Sequence, residues 1–323
     1  MSFAIENQLI QLLHASNCFE LEIIQELWSG YGKISRYKLS GSKYETVVVK
    51  CIDLKASNDH PRGWNTPLSH RRKVKSYEVE TYWYQHYSEA CADECKIPSF
   101  LGSFQEDSKQ WIVLEDLDHQ YPERKQHLVL NEIKICVQWL AYFHATFLGK
   151  EAQGLWEIGS YWHLDTRPDE YAKMEESALK ESAHLLDKKL NNCRFKTLVH
   201  GDAKVANFCF NKTGDQVAAV DFQYVGSGCG MKDLAYLLSS CLSSEECFLY
   251  EDLILDFYFQ CLNKAFQQQK LTIDFDALEN EWRSLYPLAY ADFVRFLLGW
   301  MPSHQKVNPY SLEQVKKALA SMK

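Results

Sequence analysis

The sequence changes character at about residue 117. Before that point, short runs rich in β-branched and aromatic residues alternate with glycine-containing turns, a pattern typical of an antiparallel sheet. Apolar residues at helical spacing predict a short helix over 5–15 and a longer one over 70–90, and two prolines with a glycine predict a loop over 58–67. The runs that predict strands are, in chain order, IIQELW, KISRYKL, YETVVVKCID, SFLGSFQ and QWIVLEDL.

After residue 117 the apolar residues recur mainly at helical spacing, and one β-rich segment, residues 197–226, interrupts this pattern. A sheet-rich first part joined once to a helical remainder predicts an α+β protein of two lobes, 1–117 and 118–323. Small ligands commonly bind in the cleft between two such lobes. The predicted helices of the second lobe are 130–148, 169–191, 232–242, 245–268, 275–298 and 311–321.

Composition argues against several classes of protein. With a formal net charge of −8 and no long run of Lys or Arg, the surface is unsuited to neutralising a phosphate backbone, so we expect no nucleic-acid partner. The amino terminus lacks a signal-peptide pattern and no apolar run is long enough to cross a membrane, so we expect no membrane segment. The 11 cysteines are odd in number and scattered, which favours reduced thiols in a cytoplasmic protein.

Two of the cysteines are candidate metal ligands. Cys91 and Cys95 lie four residues apart with His86 nearby. A structural zinc ion takes four ligands, and no second pair of ligands follows in the sequence. Core cysteines are the favoured interpretation.

The most informative segment is HGDAKVAN, residues 200–207, followed by DFQ at 221–223. The residues between them, FCFNKTGDQVAAV, surround an Asn-Lys-Thr-Gly-Asp turn and predict a β-hairpin. Such a hairpin folds Asp221 back beside Asn207. An aspartate and an asparagine can hold Mg²⁺ across the phosphates of a nucleotide, and a further carboxylate, Asp202, can orient an attacking hydroxyl.

HGDxxxxN combined with DFQ resembles the catalytic and metal-binding motifs of aminoglycoside phosphotransferases and choline kinases. The DLAY that follows is similar to the ecdysteroid-kinase-like branch of that superfamily. The resemblance runs in order from Gly30 to DLAY and implies a protein-kinase-like fold, with a nucleotide-binding first lobe and a catalytic and substrate-binding second lobe. It implies Asp202 as the catalytic base, and Asn207 and Asp221 as the magnesium ligands.

The same resemblance assigns supporting residues. His200 is expected to support the catalytic loop, and Asp233 of DLAY to anchor it through hydrogen bonds. His144 lies on an apolar helix and is expected to be a satisfied core residue. Lys204 departs from the commonest residues of the branch, but it stands where protein kinases carry a lysine that contacts the γ-phosphate, so it is a candidate nucleotide contact.

In the first lobe, three motifs are expected to bind ATP. Gly30 and Gly32 lie in SGYGK between two predicted strands, where glycine permits close backbone approach to phosphate. Lys50 ends an apolar strand and resembles the lysine that holds the α- and β-phosphates. Glu80 resembles the glutamate that pairs with this lysine, and Glu78 is the alternative, since two positions along a helix point to different faces.

The third motif, WIVLEDL at 111–117, resembles the hinge strand whose backbone meets adenine. It makes Glu115 and Leu117 candidate neighbours of the adenine site. Because backbone groups read the adenine there, Glu115 and Asp116 are expected to serve other purposes, as caps or as ribose contacts.

The acceptor site is less sharply marked. Aromatic faces beside a carboxylate can hold a cation, and one helix offers such a set, whereas ordinary helix core with Asp292 exposed or capping is the alternative interpretation. The acidic net charge slightly favours a cationic or neutral acceptor. The residues of that set are Trp282, Tyr286, Tyr290, Asp292 and Trp300, and a second aromatic group that fits equally well is Trp156, Tyr161 and Trp162.

The resemblance therefore implies a kinase that uses ATP and Mg²⁺ to phosphorylate a hydroxyl of a small metabolite, a drug or a steroid- or choline-like molecule. Transfer of AMP on the same fold and a nucleotide-binding pseudokinase are the alternatives, although no core motif position is missing. No Ala-Pro-Glu segment follows Asp221, so a protein substrate is not expected.

Overall fold

The structure, a computed structural model, describes residues 2–27, 30–55 and 66–322, without the side chains of residues 2–4. The chain forms two compact units. Unit 1 comprises Met1–Glu89 and Ile97–Pro122, and unit 2 comprises Ala90–Lys96 and Glu123–Lys323. The lobe boundary at 117/118 stays a prediction, and most of the loop predicted over 58–67 lies outside the described residues.

Unit 1 is built on an antiparallel sheet whose strand order is β1-β2-β3-β5-β4. The predicted sheet is confirmed, although its first strand begins at residue 17, six residues before the predicted start. Glutamates at exposed positions of this edge strand conceal it in the sequence. The elements of unit 1 are α1 (Ser2–Leu13), β1 (Asn17–Glu26), β2 (Gly32–Ser40), β3 (Thr46–Asp53), α2 (Pro67–His86), β4 (Phe100–Glu106) and β5 (Lys109–Glu115).

Strand β3 occupies the middle of this sheet and is buried on both faces. Because successive side chains point to opposite faces of a strand, Val47 and Val49 pack in the cluster under α1, whereas Lys50 points to the other face. Helix α2 begins at Pro67 after Thr66, whose side chain accepts a hydrogen bond from Ser69 N at 3.2 Å. The sheet therefore places Lys50 where a side chain of α2 can reach it.

Unit 2 is mainly helical, as predicted, with one correction. The single helix predicted over 169–191 is wrong, because three short helices occupy that range. Ser177 interrupts it, since its side chain caps the second of them by accepting a hydrogen bond from Lys180 N at 3.3 Å. The helices of unit 2 are α3 (Leu130–Thr146), α4 (Pro168–Lys173), α5 (Ala178–Glu181), α6 (Ala183–Asn191), α7 (Met231–Cys241), α8 (Ser244–Gln269), α9 (Phe275–Trp300) and α10 (Pro309–Ser321).

Two short antiparallel pairs lie among these helices, β6 (Thr197–Val199) with β9 (Gly226–Gly228), and β7 (Phe208–Phe210) with β8 (Val217–Ala219). The second pair is the predicted hairpin, and its turn is closed by the Asn211 side chain, which accepts hydrogen bonds from two backbone N–H groups. The hairpin is thus confirmed.

Helix α9 forms much of the core of unit 2. Trp282, Tyr286 and Tyr290 are buried, which confirms the interpretation of this segment as helix core. The expectation that Asp292 is exposed or capping is wrong. Asp292 is fully buried, because Arg295 pairs with it at 2.8 Å and compensates its charge.

In the described part of the chain, no helix is both long enough and apolar enough to span a bilayer.

Candidate active site

In unit 1 the structure brings Lys50 and Glu80 together. The Lys50 ammonium lies 2.6 Å from Glu80 Oε2, and both residues are buried, with 4% and 2% of their surface exposed. Glu78 is exposed, so Glu80, as preferred from the sequence, is the partner. The ring centroid of Tyr77 lies 5.6 Å from the same ammonium. A buried charge needs such a partner, because an unpaired one costs several kcal/mol, of the order of 3–5.

Gly30 lies between β1 and β2, Gly32 is the first residue of β2, and both have positive φ, +67° and +141°. At Gly32, a Cβ would come within 2.0 Å of the Cys51 carbonyl oxygen on β3. The missing side chain at this position is therefore already explained by the packing of β2 on β3. A phosphate contact of Gly30 and Gly32 stays a prediction.

The end of β5 is fixed by carboxylates. Glu115 accepts hydrogen bonds from the backbone N–H and the hydroxyl of Ser99, at 3.0 and 2.8 Å. Asp116 caps the turn that begins at Leu117, which is buried, and Arg36 lies 2.7 Å from the Asp116 carboxylate. Burial raises the pKa of Asp116, but hydrogen bonds from Thr46 and Arg36 outweigh it and lower the pKa. These contacts account for both carboxylates as structural groups.

In unit 2, Asp233 anchors the HGD loop, as predicted. Its two carboxylate oxygens accept the backbone N–H groups of His200 at 2.6 Å and of Gly201 at 2.9 Å. The ring of His144 contacts the same carboxylate at 3.1 Å and the hydroxyl of Tyr258 at 2.7 Å. His144 is therefore a satisfied core residue, and the first turn of α7 holds the loop in position.

His200 joins the loop to the strand that precedes Asp221. Its Nε2 donates to the carbonyl oxygen of Val220 at 3.0 Å, and its Nδ1 accepts from Asp202 N at 3.3 Å. These two contacts assign the donor role to Nε2 and the acceptor role to Nδ1. Gly201 has φ +78°, and a Cβ there would lie 2.2 Å from the Tyr224 carbonyl oxygen, so only glycine fits. The predicted supporting role of His200 is confirmed.

Two side chains of the loop donate hydrogen bonds to Asp202. Lys204 Nζ lies 2.7 Å from Asp202 Oδ2, and the side-chain amide of Asn207 donates to the same carboxylate at 3.2 Å and to the Asp202 carbonyl oxygen at 2.8 Å. Burial lowers the pKa of Lys204, but the charges of Asp202 and Asp221 outweigh it and raise the pKa. Lys204 is therefore a cation held beside two carboxylates.

The hairpin brings Asp221 next to this group. Val220 N donates to the carbonyl oxygen of Asn207 at 3.0 Å, so the residue that follows Val220 begins beside Asn207. Asp221 adopts φ +71°, which is uncommon for a residue with a side chain, and its Oδ1 accepts a hydrogen bond from Gln223 Nε2 at 2.6 Å. A backbone held in such a conformation is a feature that recurs at functional sites.

Asn207 and Asp221 suit Mg²⁺ as a donor set. Because the nitrogen of the Asn207 amide is engaged by Asp202, the amide oxygen is the atom left to bind a cation. An amide oxygen and a carboxylate are hard oxygen ligands of the kind Mg²⁺ prefers. Within the described residues there is no cluster of three or more His, Cys, Asp or Glu side chains that could hold a metal.

Two residues beside Asp202 were missed in the sequence. Tyr236 lies one helical turn after Asp233, in DLAY. Burial raises the pKa of Tyr236, and the neighbouring Tyr161 and the charge and hydrogen bond of Asp202 raise it further. Lys306 has its ammonium 4.5 Å from the ring centroid of Tyr236. The helical spacing from Asp233 could have indicated Tyr236. Lys306 lies between α9 and α10 and follows no periodic pattern, so no local signal marks it.

Comparisons with known proteins found a family match in the second half of the chain. Residues 166–322 match a family model, DUF1679, whose description reads "Uncharacterized oxidoreductase dhs-27". The matched range contains Asp202, Asn207 and Asp221. No curated protein matches the sequence.

Two examples illustrate the similarity of the chain to solved structures. A choline kinase from Cryptosporidium parvum Iowa II shares 10% sequence identity, with a TM-score of 0.52 over 93% of this chain and 87% of that chain. An aminoglycoside-3'-phosphotransferase of type VIII shares 14% identity, with a TM-score of 0.44 over 85% of this chain and 94% of that one. The predicted α+β, protein-kinase-like fold is confirmed, since the chain has the fold of choline kinase.

Proposed function

We propose that this protein is an ATP-dependent phosphotransferase that transfers the γ-phosphoryl group to a hydroxyl of a small molecule. The observation that carries the proposal is the group formed by Asp202, Lys204 and Asn207, with Asp221 brought beside it by the hairpin. Phosphoryl transfer needs a carboxylate for the attacking hydroxyl, oxygen ligands for a cation and positive charge near the transferred group. These residues supply each of the three.

Asp202 acts as the base in this proposal. Its carboxylate is held by Asn207 and Lys204, so its orientation is fixed before a substrate arrives. The acceptor oxygen forms a bond to the γ-phosphorus, the bond from that phosphorus to the bridging oxygen of ADP breaks, and the acceptor proton passes to Asp202. Asp233 and His200 keep the loop in place during this step.

Asn207 and Asp221 hold Mg²⁺ in this proposal, and the ion, when bound, neutralises charge on the phosphates of ATP. Lys204 adds a positive charge beside Asp202. In unit 1, Lys50 is the residue proposed to contact the α- and β-phosphates, with Glu80 fixing its ammonium. Gly30, Gly32, Glu115 and Leu117 are the proposed neighbours of the nucleotide there.

The free thiols of all 11 cysteines support a reducing compartment, and we place the protein in the cytoplasm.

The test uses purified protein, Mg²⁺ and a metabolite extract, with ATP labelled either at the γ-phosphate or at the α-phosphate. We expect the γ-label, and not the α-label, to appear on a small molecule, and we expect the Asp202→Asn variant to give neither product. Transfer of the α-label would show that the protein moves AMP. ATP binding without transfer of either label would contradict the proposal and favour a pseudokinase.

A further inference from the structure

Asp202 lies beside a cluster of aromatic side chains in unit 2. The ring centroids of Tyr161 and Tyr236 are 5.4 Å apart, Phe293 lies 5.0 Å from Tyr236, and Phe296 lies 5.4 Å from Tyr161. Burial is the main cause that raises the pKa of Tyr161 and of Tyr236, and the negative charge of Asp202 raises both further. The carboxylate proposed as the base therefore lies at one edge of an apolar wall.

A cation already lies on this wall. The Lys306 ammonium is 4.5 Å from the ring centroid of Tyr236 and 5.4 Å from that of Phe293. Aromatic faces at these distances attract a positive charge. These two aromatic faces are thus occupied by an ammonium of the chain itself.

Lys306 forms no ion pair with a carboxylate of the described residues. Across the described ranges of the chain, no acidic group lies within 4.0 Å of its ammonium, and Asp202, the main acidic group near it, is bonded to Lys204. Burial lowers the pKa of Lys306 to about 8. The negative charge of Asp202 opposes this shift, and the positive charge of Lys204 adds to it. A desolvated ammonium without an ion-pair partner is suited to receive an anion from a ligand.

We propose that Lys306 determines acceptor specificity by binding an anionic group of the acceptor. The acceptor would carry a hydroxyl for Asp202 and an oxygen anion, a carboxylate or a phosphate, for Lys306. This inference rests on the proposed function, and it replaces the cationic or neutral acceptor that the net charge favours.

The test compares molecules that differ only in the charged group. The probes are para-(hydroxymethyl)benzoate, its methyl ester, para-(hydroxymethyl)phenylphosphonate and para-(hydroxymethyl)benzylamine. Binding is measured by ligand-observed NMR, which needs no turnover, and phosphorylation by mass spectrometry. We expect the better of the two anions to bind roughly tenfold more tightly than the ester or the amine, since one charge-assisted contact separates them. The ranking of the carboxylate against the phosphonate identifies the anion.

Two variants test the role of Lys306. Lys306→Met should abolish the preference for the anion over the ester, whereas Lys306→Arg should retain it. Lys316→Met removes the same charge from an exposed position of α10 and should change nothing.

Equal or tighter binding of the ester or the amine, an anion preference that survives in Lys306→Met, or no saturable binding of either anion would overturn the inference. Anion binding that depends on Lys306 without phosphorylation of any probe would support the anion site and count against the proposed function. The two failures are therefore distinguishable.

Discussion

The side-chain amide of Asn207 donates to two oxygens of Asp202, the backbone carbonyl oxygen at 2.8 Å and the carboxylate Oδ2 at 3.2 Å. One side chain therefore fixes both the loop backbone and the carboxylate proposed as the base. Its own amide oxygen takes no part in these two contacts. The position of the base and the position of the proposed cation ligand are coupled through this single residue.

Removing the proposed cation ligand Asp221 should abolish the magnesium-dependent part of the stabilisation by ATP. A ligand that binds only the folded state raises its stability in proportion to the logarithm of its concentration over Kd. The measurement is the thermal unfolding temperature of Asp221→Ala with ATP, with and without Mg²⁺. Asp252→Ala removes an exposed aspartate of α8 and serves as the control. A magnesium-dependent shift in Asp221→Ala equal to that of the unmutated protein would show that Asp221 holds no cation.

Replacing Asp233 by asparagine should destabilise the protein by about 1–3 kcal/mol, because one of two buried backbone N–H groups loses its acceptor. Urea unfolding gives the free energy. The control is Asp252→Asn, which removes an exposed charge and should lie within about 0.5 kcal/mol of the unmutated protein. An unchanged free energy of unfolding in Asp233→Asn would mean that the loop is anchored by other contacts.

The Lys50–Glu80 pair should behave as a buried pair. Lys50→Met removes the ion pair of the buried Glu80 carboxylate, so we expect a loss of about 3 kcal/mol, and the double variant Lys50→Met, Glu80→Leu should recover most of it. The more exposed pair of Lys33 and Glu20 is the matched control, and Lys33→Met should cost no more than about 1 kcal/mol. Additive single-variant losses in a urea-unfolding cycle would contradict the expected coupling.

Lys306 should make stability depend on pH in an alkaline window. Its pKa is lowered from 10.5 to about 8, first by burial and then by Lys204, against the attraction of Asp202 and Cys241. Between these two values the unfolded chain holds the proton and the folded protein does not, so the folded state gains stability as the pH rises. Below about pH 8 the cost of the buried ammonium is fully present.

Lys306→Met should therefore be more stable than the unmutated protein near pH 7, by about 1–2 kcal/mol after allowance for partial exposure. The difference should shrink as the pH rises above 8 towards 10.5. Urea unfolding of both proteins at the two ends of this range measures it. A variant that is less stable at neutral pH would show that the ammonium stabilises the fold.

The parts of the fold that could be predicted are those encoded by local patterns. The strand runs of unit 1 and the hairpin between Asn207 and Asp221 are marked by β-branched residues and by a turn sequence, and both were predicted. The helix predicted over 169–191 failed because a serine cap overrides a helical pattern of apolar residues. Hydrophobic periodicity shows which face of a helix is apolar, but it does not show where one helix ends and the next begins.

The parts of the site that could be predicted are those carried by the HGD and DFQ motifs. Lys306 and the burial of Asp292 could not be predicted, because each depends on a partner brought near by the tertiary fold. Asp292 is paired with Arg295 and with the Trp162 indole, 130 residues away in sequence. Lys306 approaches Tyr236 from a segment without regular structure.

The most direct test of the central claim is the single-turnover rate of Asp202→Asn with saturating MgATP and the acceptor identified by labelling. Asparagine keeps the shape of the side chain and its contact with Lys204 in part, but it cannot accept the proton. We predict unchanged ATP affinity and a rate lower by at least about 100-fold, the lower end of what a general base contributes. A rate within a few fold of the unmutated protein would contradict the assignment of Asp202 as the base.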